Sequence, residues 1–120
     1  MEKAKILIIE DVPEMADLIA LYVQNAGMEP LVYPSAEEAT LALRGRAPSA
    51  LLLDLNLPGM SGMDFLKKFR AEYRDSIPVI IVSARNADED IIAALDLGAD
   101  EFVTKPFSPP RVDRPPAGKP

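Results

Sequence analysis

The feature that most limits the fold is a regular alternation of short apolar runs with helical segments. Continuous aliphatic runs at residues 5–9, 50–53 and 79–82 are typical of strands that are covered on both faces of a parallel sheet. Residues 30–33 and 101–104 are weaker strand candidates. Helical patterns lie between these runs. The order β-α-β-α-β-α-β-α-β predicts an α/β fold, with a doubly wound, five-stranded parallel sheet and right-handed crossovers.

Four segments carry helical signals. The first has a single apolar stripe and ends near Gly27. The second begins at Ser35 and Glu38, which have capping-box spacing, and runs towards Gly45. The third and fourth are marked by apolar residues at helical spacing, and Gly98 ends the fourth; these residues are Phe65, Leu66, Phe69, Ile91, Ile92 and Leu95.

Composition excludes several classes of function. A chain of 120 residues, 48% of them hydrophobic, is long enough for one domain with a real core and too short for two. The net charge of −6 argues against direct contact with nucleic acid. The absence of Cys and His excludes disulfides, the usual zinc sites and Ser-His-Asp triads. The first apolar run is too short for a signal peptide or a membrane span, so we expect a cytoplasmic protein without membrane contact.

Polar residues follow four of the five predicted strands. Glu10 and Asp11 end the first apolar run, Asp54 the third, Ser83 the fourth and Lys105 the fifth. In a doubly wound sheet these strand ends meet at one edge, where ligands bind. Taken singly, Asp11 is equally well explained as a helix N-cap, Ser83 as a loop hydroxyl and Lys105 as a surface charge. Asp54 is harder to explain this way, because an unpaired carboxylate after a buried strand is costly.

The charges of this group indicate a cation site. Three carboxylates and one ammonium leave a net charge of −3 + 1 = −2, which a divalent cation would neutralise. Oxygen ligands without nitrogen or sulfur favour Mg²⁺ or a similar ion such as Mn²⁺. A phosphoryl group on one carboxylate would then meet the cation, an ammonium and a hydroxyl. This arrangement suits phosphoryl transfer.

Four stretches carry a resemblance to a known family: IIEDV, LLLDLNLPGMSG, IIVSA and GADEFVTKPF. From Lys5 to about Phe107 the chain resembles the CheY-like receiver domain of two-component response regulators, with the winged-helix transcription factors as the suggested subfamily. The resemblance implies that Asp54 accepts a phosphoryl group from a sensor histidine kinase. It implies Mg²⁺ or Mn²⁺ as cofactor, held by Glu10, Asp11, Asp54 and the backbone carbonyl of Asn56.

The resemblance also assigns roles around the acceptor. Ser83 and Lys105 would bind phosphoryl oxygens, and Ala84 would leave the site accessible. Arg85 and Asn56 are positions to test for the lifetime of the phosphorylated state. Such a domain is a signalling unit rather than an enzyme, although it assists its own Mg²⁺-dependent phosphorylation and autodephosphorylation.

Two further residues follow from the resemblance. Phe102 stands where the family has a switch aromatic that turns inward when Ser83 moves onto the phosphoryl group. An ordinary core aromatic is the alternative for Phe102. The bond before Pro106 is expected to be cis.

Three other kinds of protein share part of this pattern. An FMN-binding flavodoxin would not place acids in its phosphate loop, and a haloacid-dehalogenase-like phosphatase would have a second Asp at the position of Asn56. A pseudo-receiver, acting as an interaction module without phosphorylation, stays the main alternative. The full set of acids, hydroxyl and lysine argues against it.

The predicted domain covers residues 1–107, and residues 108–120 form a Pro-rich tail in place of a fifth helix. Five prolines in these thirteen residues exclude a helix. The tail has two interpretations. It is a natural disordered linker, or it results from a shifted reading frame, because codons for PPRVDRPPAGKP can spell PRELIARLRAN when one base is removed near the second proline. Loss of the helix would expose apolar surface. We expect homodimers through that surface or through the face of helix 4 and strand 5, and DNA contact only through an effector domain outside this chain.

Overall fold

The computed structural model describes residues 3–44 and 46–105, which form one five-stranded parallel sheet and four helices. The strands are β1 (Lys5–Ile9), β2 (Glu29–Tyr33), β3 (Ala50–Leu53), β4 (Val79–Ser83) and β5 (Glu101–Thr104). The helices are α1 (Pro13–Asn25), α2 (Ala36–Leu43), α3 (Gly62–Tyr73) and α4 (Asp88–Asp96). The predicted order of elements is confirmed. The predicted loss of a fifth helix concerns residues 108–120, which lie outside the described residues.

All strand neighbours in the sheet are parallel, in the order β2-β1-β3-β4-β5. Parallel pairing aligns the last residues of adjacent strands: Ile9 pairs with Tyr33 and Leu53, and Ser83 pairs with Thr104. The chain order departs from the spatial order between β1 and β3, and this crossing point is where such sheets bind ligands. The residues that follow β1 and β3 therefore emerge side by side.

Helices cover both faces of the sheet. One buried cluster packs α2, α3 and α4 against it through Ala36, Phe65, Leu66, Phe69 and Ala94. A second cluster packs α1 against the other face through Ile19 and Val23. Because both faces are covered, the three central strands β1, β3 and β4 are almost wholly apolar, as the doubly wound prediction requires.

Side-chain caps stabilise the first turn of two helices. The predicted cap at Ser35 is present: its hydroxyl oxygen accepts a hydrogen bond from the backbone nitrogen of Glu38 at 3.2 Å. Ser61 caps α3 in the same way, accepting from Asp64 at 3.1 Å. Helix α2 ends at Leu43, slightly earlier than predicted, because Arg44 already has a left-handed backbone with φ of 41°.

Helix α4 has fewer buried residues than each of the other three helices. Of its nine residues, all of which the structure describes, only Ala94 is buried. Ile92 and Leu95, which were expected on its apolar stripe, are 58% and 43% exposed. Within the described part of the chain, no side chain caps the first turn of α4. The helix was predicted correctly, but the small Ala94 makes its core contact and two larger apolar residues face outwards.

A charged cluster, which the sequence did not reveal, ties α3 to the edge where β4 and β5 begin. Arg70 has a side chain only 10% exposed, and it pairs with Asp100 at 3.0 Å. Its guanidinium also donates hydrogen bonds to three backbone carbonyls, those of Arg74, Ile77 and Gly98. Asp100 in turn accepts from the backbone nitrogen of Val79 at 2.8 Å. All three guanidinium nitrogens of Arg70 therefore have a partner within the fold.

Candidate functional site

The carboxyl edge of the sheet gathers the predicted site residues. Glu10 and Asp11 directly follow β1, Asp54 follows β3, Ser83 is the last residue of β4, and Lys105 follows β5. Glu10, Asp54 and Ser83 are buried, although they are polar or charged. Buried polar groups need partners, so the contacts of each residue define what the site can do.

Glu10 is held by two hydrogen bonds. One carboxylate oxygen, Oε1, accepts from Lys105 Nζ at 2.5 Å, and the other, Oε2, accepts from the backbone nitrogen of Val12 at 3.2 Å. Burial raises the pKa of Glu10 above its usual value, and the nearby Asp54 charge adds to this, while the two hydrogen bonds oppose it. The ionised form of Glu10 therefore depends on positive charge nearby.

Asp54 is 4% exposed and uses both carboxylate oxygens. Oδ1 accepts from the backbone nitrogen of Asn56 at 3.1 Å, and Oδ2 accepts from Lys105 Nζ at 3.0 Å. Its backbone is fixed by a hydrogen bond to the carbonyl of Ile9 and by close packing of α3: a Cβ on Gly62 would lie 2.3 Å from the Asp54 carbonyl oxygen. Only glycine at that position lets α3 start this close to the backbone of Asp54 and Leu55.

Lys105 lies between the two buried carboxylates. Its backbone nitrogen donates to the carbonyl of Ser83 at 2.8 Å, which extends the pairing of β5 with β4 and aims the side chain along the edge. Burial acts to lower the pKa of Lys105, but the hydrogen bonds and charges of Glu10 and Asp54 outweigh it and raise the pKa above its usual value. The ammonium is therefore the fixed positive charge of the site.

Three carboxylates could hold a metal ion. One oxygen from each of Glu10, Asp11 and Asp54 lies within 4.8 Å of the others, with Asp11 exposed to solvent. All three donors are hard oxygens, and their charge exceeds that of Lys105, so the set fits Mg²⁺ better than zinc or copper. Asn56 follows Asp54 on an exposed loop position; its carbonyl as a fourth ligand stays a prediction.

Ser83 and its two successors line the adjacent strand end. The Ser83 side chain is fully buried, and its hydroxyl oxygen accepts from the backbone nitrogen of Arg85 at 3.2 Å. The Arg85 guanidinium turns away to pair with Asp90 in α4 at 2.6 Å. Ala84 is exposed. Its role in leaving the site accessible stays a prediction.

The other two predicted residues lie beyond the polar group. Phe102 is partly buried and packs against the core cluster of α2, α3 and α4, a position that both its switch role and the core alternative allow. Pro106 lies outside the described residues. Their roles stay predictions.

The sequence did not reveal one contact near the site. Glu37, in the first turn of α2, accepts a hydrogen bond from the backbone nitrogen of Met60 at 2.8 Å. Met60 belongs to the loop between β3 and α3, far from Glu37 in sequence. The PG pair before Met60 marked the turn but gave no sign of which side chain would meet it.

Comparisons of the sequence with known proteins identify the family of the chain. The family model described as "Response regulator receiver domain" matches residues 6–114. The chain is 43% identical over 103 residues to Sensory transduction protein RegX3 of Mycolicibacterium smegmatis, covering 86% of this chain and 44% of that protein. It is 33% identical over 107 residues to DNA-binding response regulator MtrA of the same species, covering 89% and 46%. The chain thus spans less than half the length of these relatives.

Solved structures show the same fold. The BeF3-activated N-terminal receiver domain of Klebsiella pneumoniae RstA superposes with a TM-score of 0.79 at 30% identity, covering 88% of both chains. The receiver domain of the Francisella response regulator 1452 gives the same TM-score and identity, covering 88% of this chain and 86% of that one. With a family match across most of its length, the chain is a member of the response regulator receiver domain family.

Proposed function

We propose that the chain is a phosphorylation-activated receiver that accepts a phosphoryl group on Asp54. The observation that carries this proposal is the placement of that carboxylate. Asp54 is nearly inaccessible, yet it lies against a lysine and two further acids rather than in an isolated ion pair. Acids that outnumber their basic partners at a buried site lower the free energy of unfolding. Their presence therefore supports a functional role for the site.

The residues of the site divide the reaction between them. A carboxylate oxygen of Asp54 attacks phosphorus, the bond from phosphorus to the donor breaks, and an acyl phosphate remains on Asp54. Lys105 keeps its proton and binds a phosphoryl oxygen as the charge on that oxygen grows. Glu10, Asp11, Asp54 and the Asn56 carbonyl would hold Mg²⁺ or Mn²⁺, which would supply further positive charge to the same oxygens. Water then attacks the phosphorus, the bond between phosphorus and the Asp54 oxygen breaks, and inorganic phosphate leaves the free carboxylate.

Receiver domains of response regulators partner with sensor histidine kinases, so a phosphohistidine is the donor we propose here. A small acyl phosphate would serve in its place. Among the described residues, no helix is long and apolar enough to cross a membrane. We expect the exchange to take place in the cytoplasm.

The signal would leave the site through β4 and β5. The Ser83 hydroxyl would give up the Arg85 amide and move onto the phosphoryl group, and Phe102 would follow into the vacated space. The exposed Ile92 and Leu95 of α4 lie on the face that we propose for pairing with a second copy. Relatives named as DNA-binding or transcriptional regulators support control of transcription through a winged-helix effector domain outside this chain.

Phosphorylation with acetyl phosphate and Mg²⁺ tests the proposal. Intact mass should rise by one phosphoryl group in the wild type and in the control Asp17→Ala, whose side chain is exposed on α1. The rise should vanish in Asp54→Ala and on removal of Mg²⁺ with a chelator. A wild type that stays unmodified would favour the pseudo-receiver alternative, and an undiminished rise in Asp54→Ala would place the acceptor elsewhere.

A further inference from the structure

The loop between β3 and α3, residues 54–61, carries two of the groups that the proposed chemistry needs. It begins with the Asp54 carboxylate and continues with Asn56, the predicted source of a carbonyl ligand. Hydrogen bonds fix the loop near both ends. Asp54 Oδ1 accepts from the Asn56 nitrogen at 3.1 Å, and the Gly62 nitrogen donates to the Leu55 carbonyl at 3.0 Å. The turn between these anchors makes a further contact, which comes from outside the loop.

Glu37 supplies that contact from a different element. Its Oε2 accepts the hydrogen bond from the Met60 nitrogen at 2.8 Å, across a sequence separation of 23 residues. This hydrogen bond lowers the pKa of Glu37 below its usual value, so the side chain is a carboxylate at neutral pH. Ser35 caps α2 and fixes its first turn, so the carboxylate is presented from a defined position.

Gly59 shows that the loop is shaped around the Glu37 carboxylate. Its φ of 72° lies in the region that favours glycine. A Cβ at this position would also stand 2.5 Å from Glu37 Oε2. A side chain at this position would therefore force the end of the flexible Glu37 side chain to shift. The hydrogen bond and this close approach both bring the turn against the same carboxylate oxygen of Glu37.

We propose that Glu37 is a positioning residue for the phosphorylation site: it holds the turn of the β3–α3 loop so that Asn56 keeps its carbonyl available for the metal ion. The proposal rests on the proposed function, because it concerns the same metal ion. Glu37 is exposed on α2, outside the acidic cluster, and acts only through the loop. Groups that orient metal ligands typically change metal affinity about 10- to 100-fold when they are lost. Glu37 is one step further away, so roughly a three- to tenfold loss is expected.

Three variants test this inference in the full chain: Glu37→Ala, Glu37→Gln, and Glu72→Ala as a matched control at an exposed site on α3. Titration with Mg²⁺ followed by amide NMR gives the dissociation constant and reports the Met60 amide directly. Glu37→Ala should move the Met60 amide resonance and weaken Mg²⁺ binding, while thermal melting without metal confirms the fold. Glu37→Gln retains an acceptor oxygen and should restore most of the affinity. Glu72→Ala should bind Mg²⁺ as the wild type does.

The outcomes separate this inference from the proposed function. If Glu37→Ala loses the Met60 signature but binds Mg²⁺ with wild-type affinity, Glu37 is not a positioning residue, and the receiver function stands. If Glu37→Gln binds as weakly as Glu37→Ala, the hydrogen bond is not the cause and the inference is overturned. If the wild type itself does not bind Mg²⁺, both proposals are wrong.

Discussion

The two edges of the sheet are each organised around one basic side chain, but their charges balance differently. Where β4 and β5 begin, Arg70 has one acidic partner and three carbonyls, and this acid, Asp100, also accepts from a backbone amide. At the carboxyl edge, Lys105 faces two buried carboxylates with a third close by. The first group is complete within the fold. The second keeps surplus negative charge, which a bound cation would neutralise.

The largest expected effect comes from removing the complete group. Arg70→Ala leaves three backbone carbonyls, those of Arg74, Ile77 and Gly98, without their donor, so we expect a loss of about 3 kcal/mol in the free energy of unfolding. Urea denaturation measures it, with Lys67→Ala, exposed on the same helix, as the control. Phosphorylation per folded molecule should not change. An equal loss in both variants would assign the effect to the helix rather than to the cluster.

Neutralising one acid of the incomplete group should act in the opposite direction. The pKa of Glu10 is raised in the folded state. At pH values above this raised pKa, the ionised carboxylate therefore lowers the free energy of unfolding. Without Mg²⁺ at neutral pH, Glu10→Gln should therefore gain about 1 kcal/mol in stability. The gain should disappear as the pH falls to the usual glutamate pKa, and Mg²⁺ affinity should drop about tenfold.

Urea denaturation at several pH values and calorimetric Mg²⁺ titration check both effects of Glu10→Gln. Glu29→Gln, on the exposed start of β2, is the control and should change neither quantity. A destabilised Glu10→Gln variant would show that the Lys105 contact outweighs the burial of the acid.

The smallest effect concerns Lys105 at alkaline pH. Its pKa is raised in the folded state, so its ammonium stabilises the fold below the usual lysine pKa, and this contribution is lost as the pH rises through the raised value. The stability difference between the wild type and Lys105→Met should therefore narrow by less than about 1 kcal/mol from about pH 9 to about pH 11, because titration is incomplete there. A difference that widens with pH would contradict the direction of the shift.

The fold could be predicted from the sequence because its signals are local. Buried strands appear as aliphatic runs, and helix starts appear as side-chain caps such as Ser35. Helix α4 shows what such local signals leave out. Ile92 and Leu95 have helical spacing, yet the core contact is made by Ala94, because spacing identifies a face without showing what packs against it.

The candidate site could be predicted in part for a related reason. Parallel strands bring their ends to one edge, so Glu10, Asp54 and Lys105 could be grouped before any distance was known. The Glu37–Met60 and Arg70–Asp100 contacts could not be predicted this way. They join a helix to a loop across 23 and 30 residues, and they depend on how the helices lie on the sheet. Such contacts leave no periodic pattern in the sequence.

The weak attachment of α4 has a consequence for how the domain opens. This nine-residue helix has one buried alanine and no side-chain cap, so few contacts break when it unfolds. It should therefore unfold locally at a free energy well below that of global unfolding. Its amides should then exchange with deuterium faster than those of α3, whose aromatic face is buried. Exchange that slows in α4 after phosphorylation would register the signal as a change in local opening.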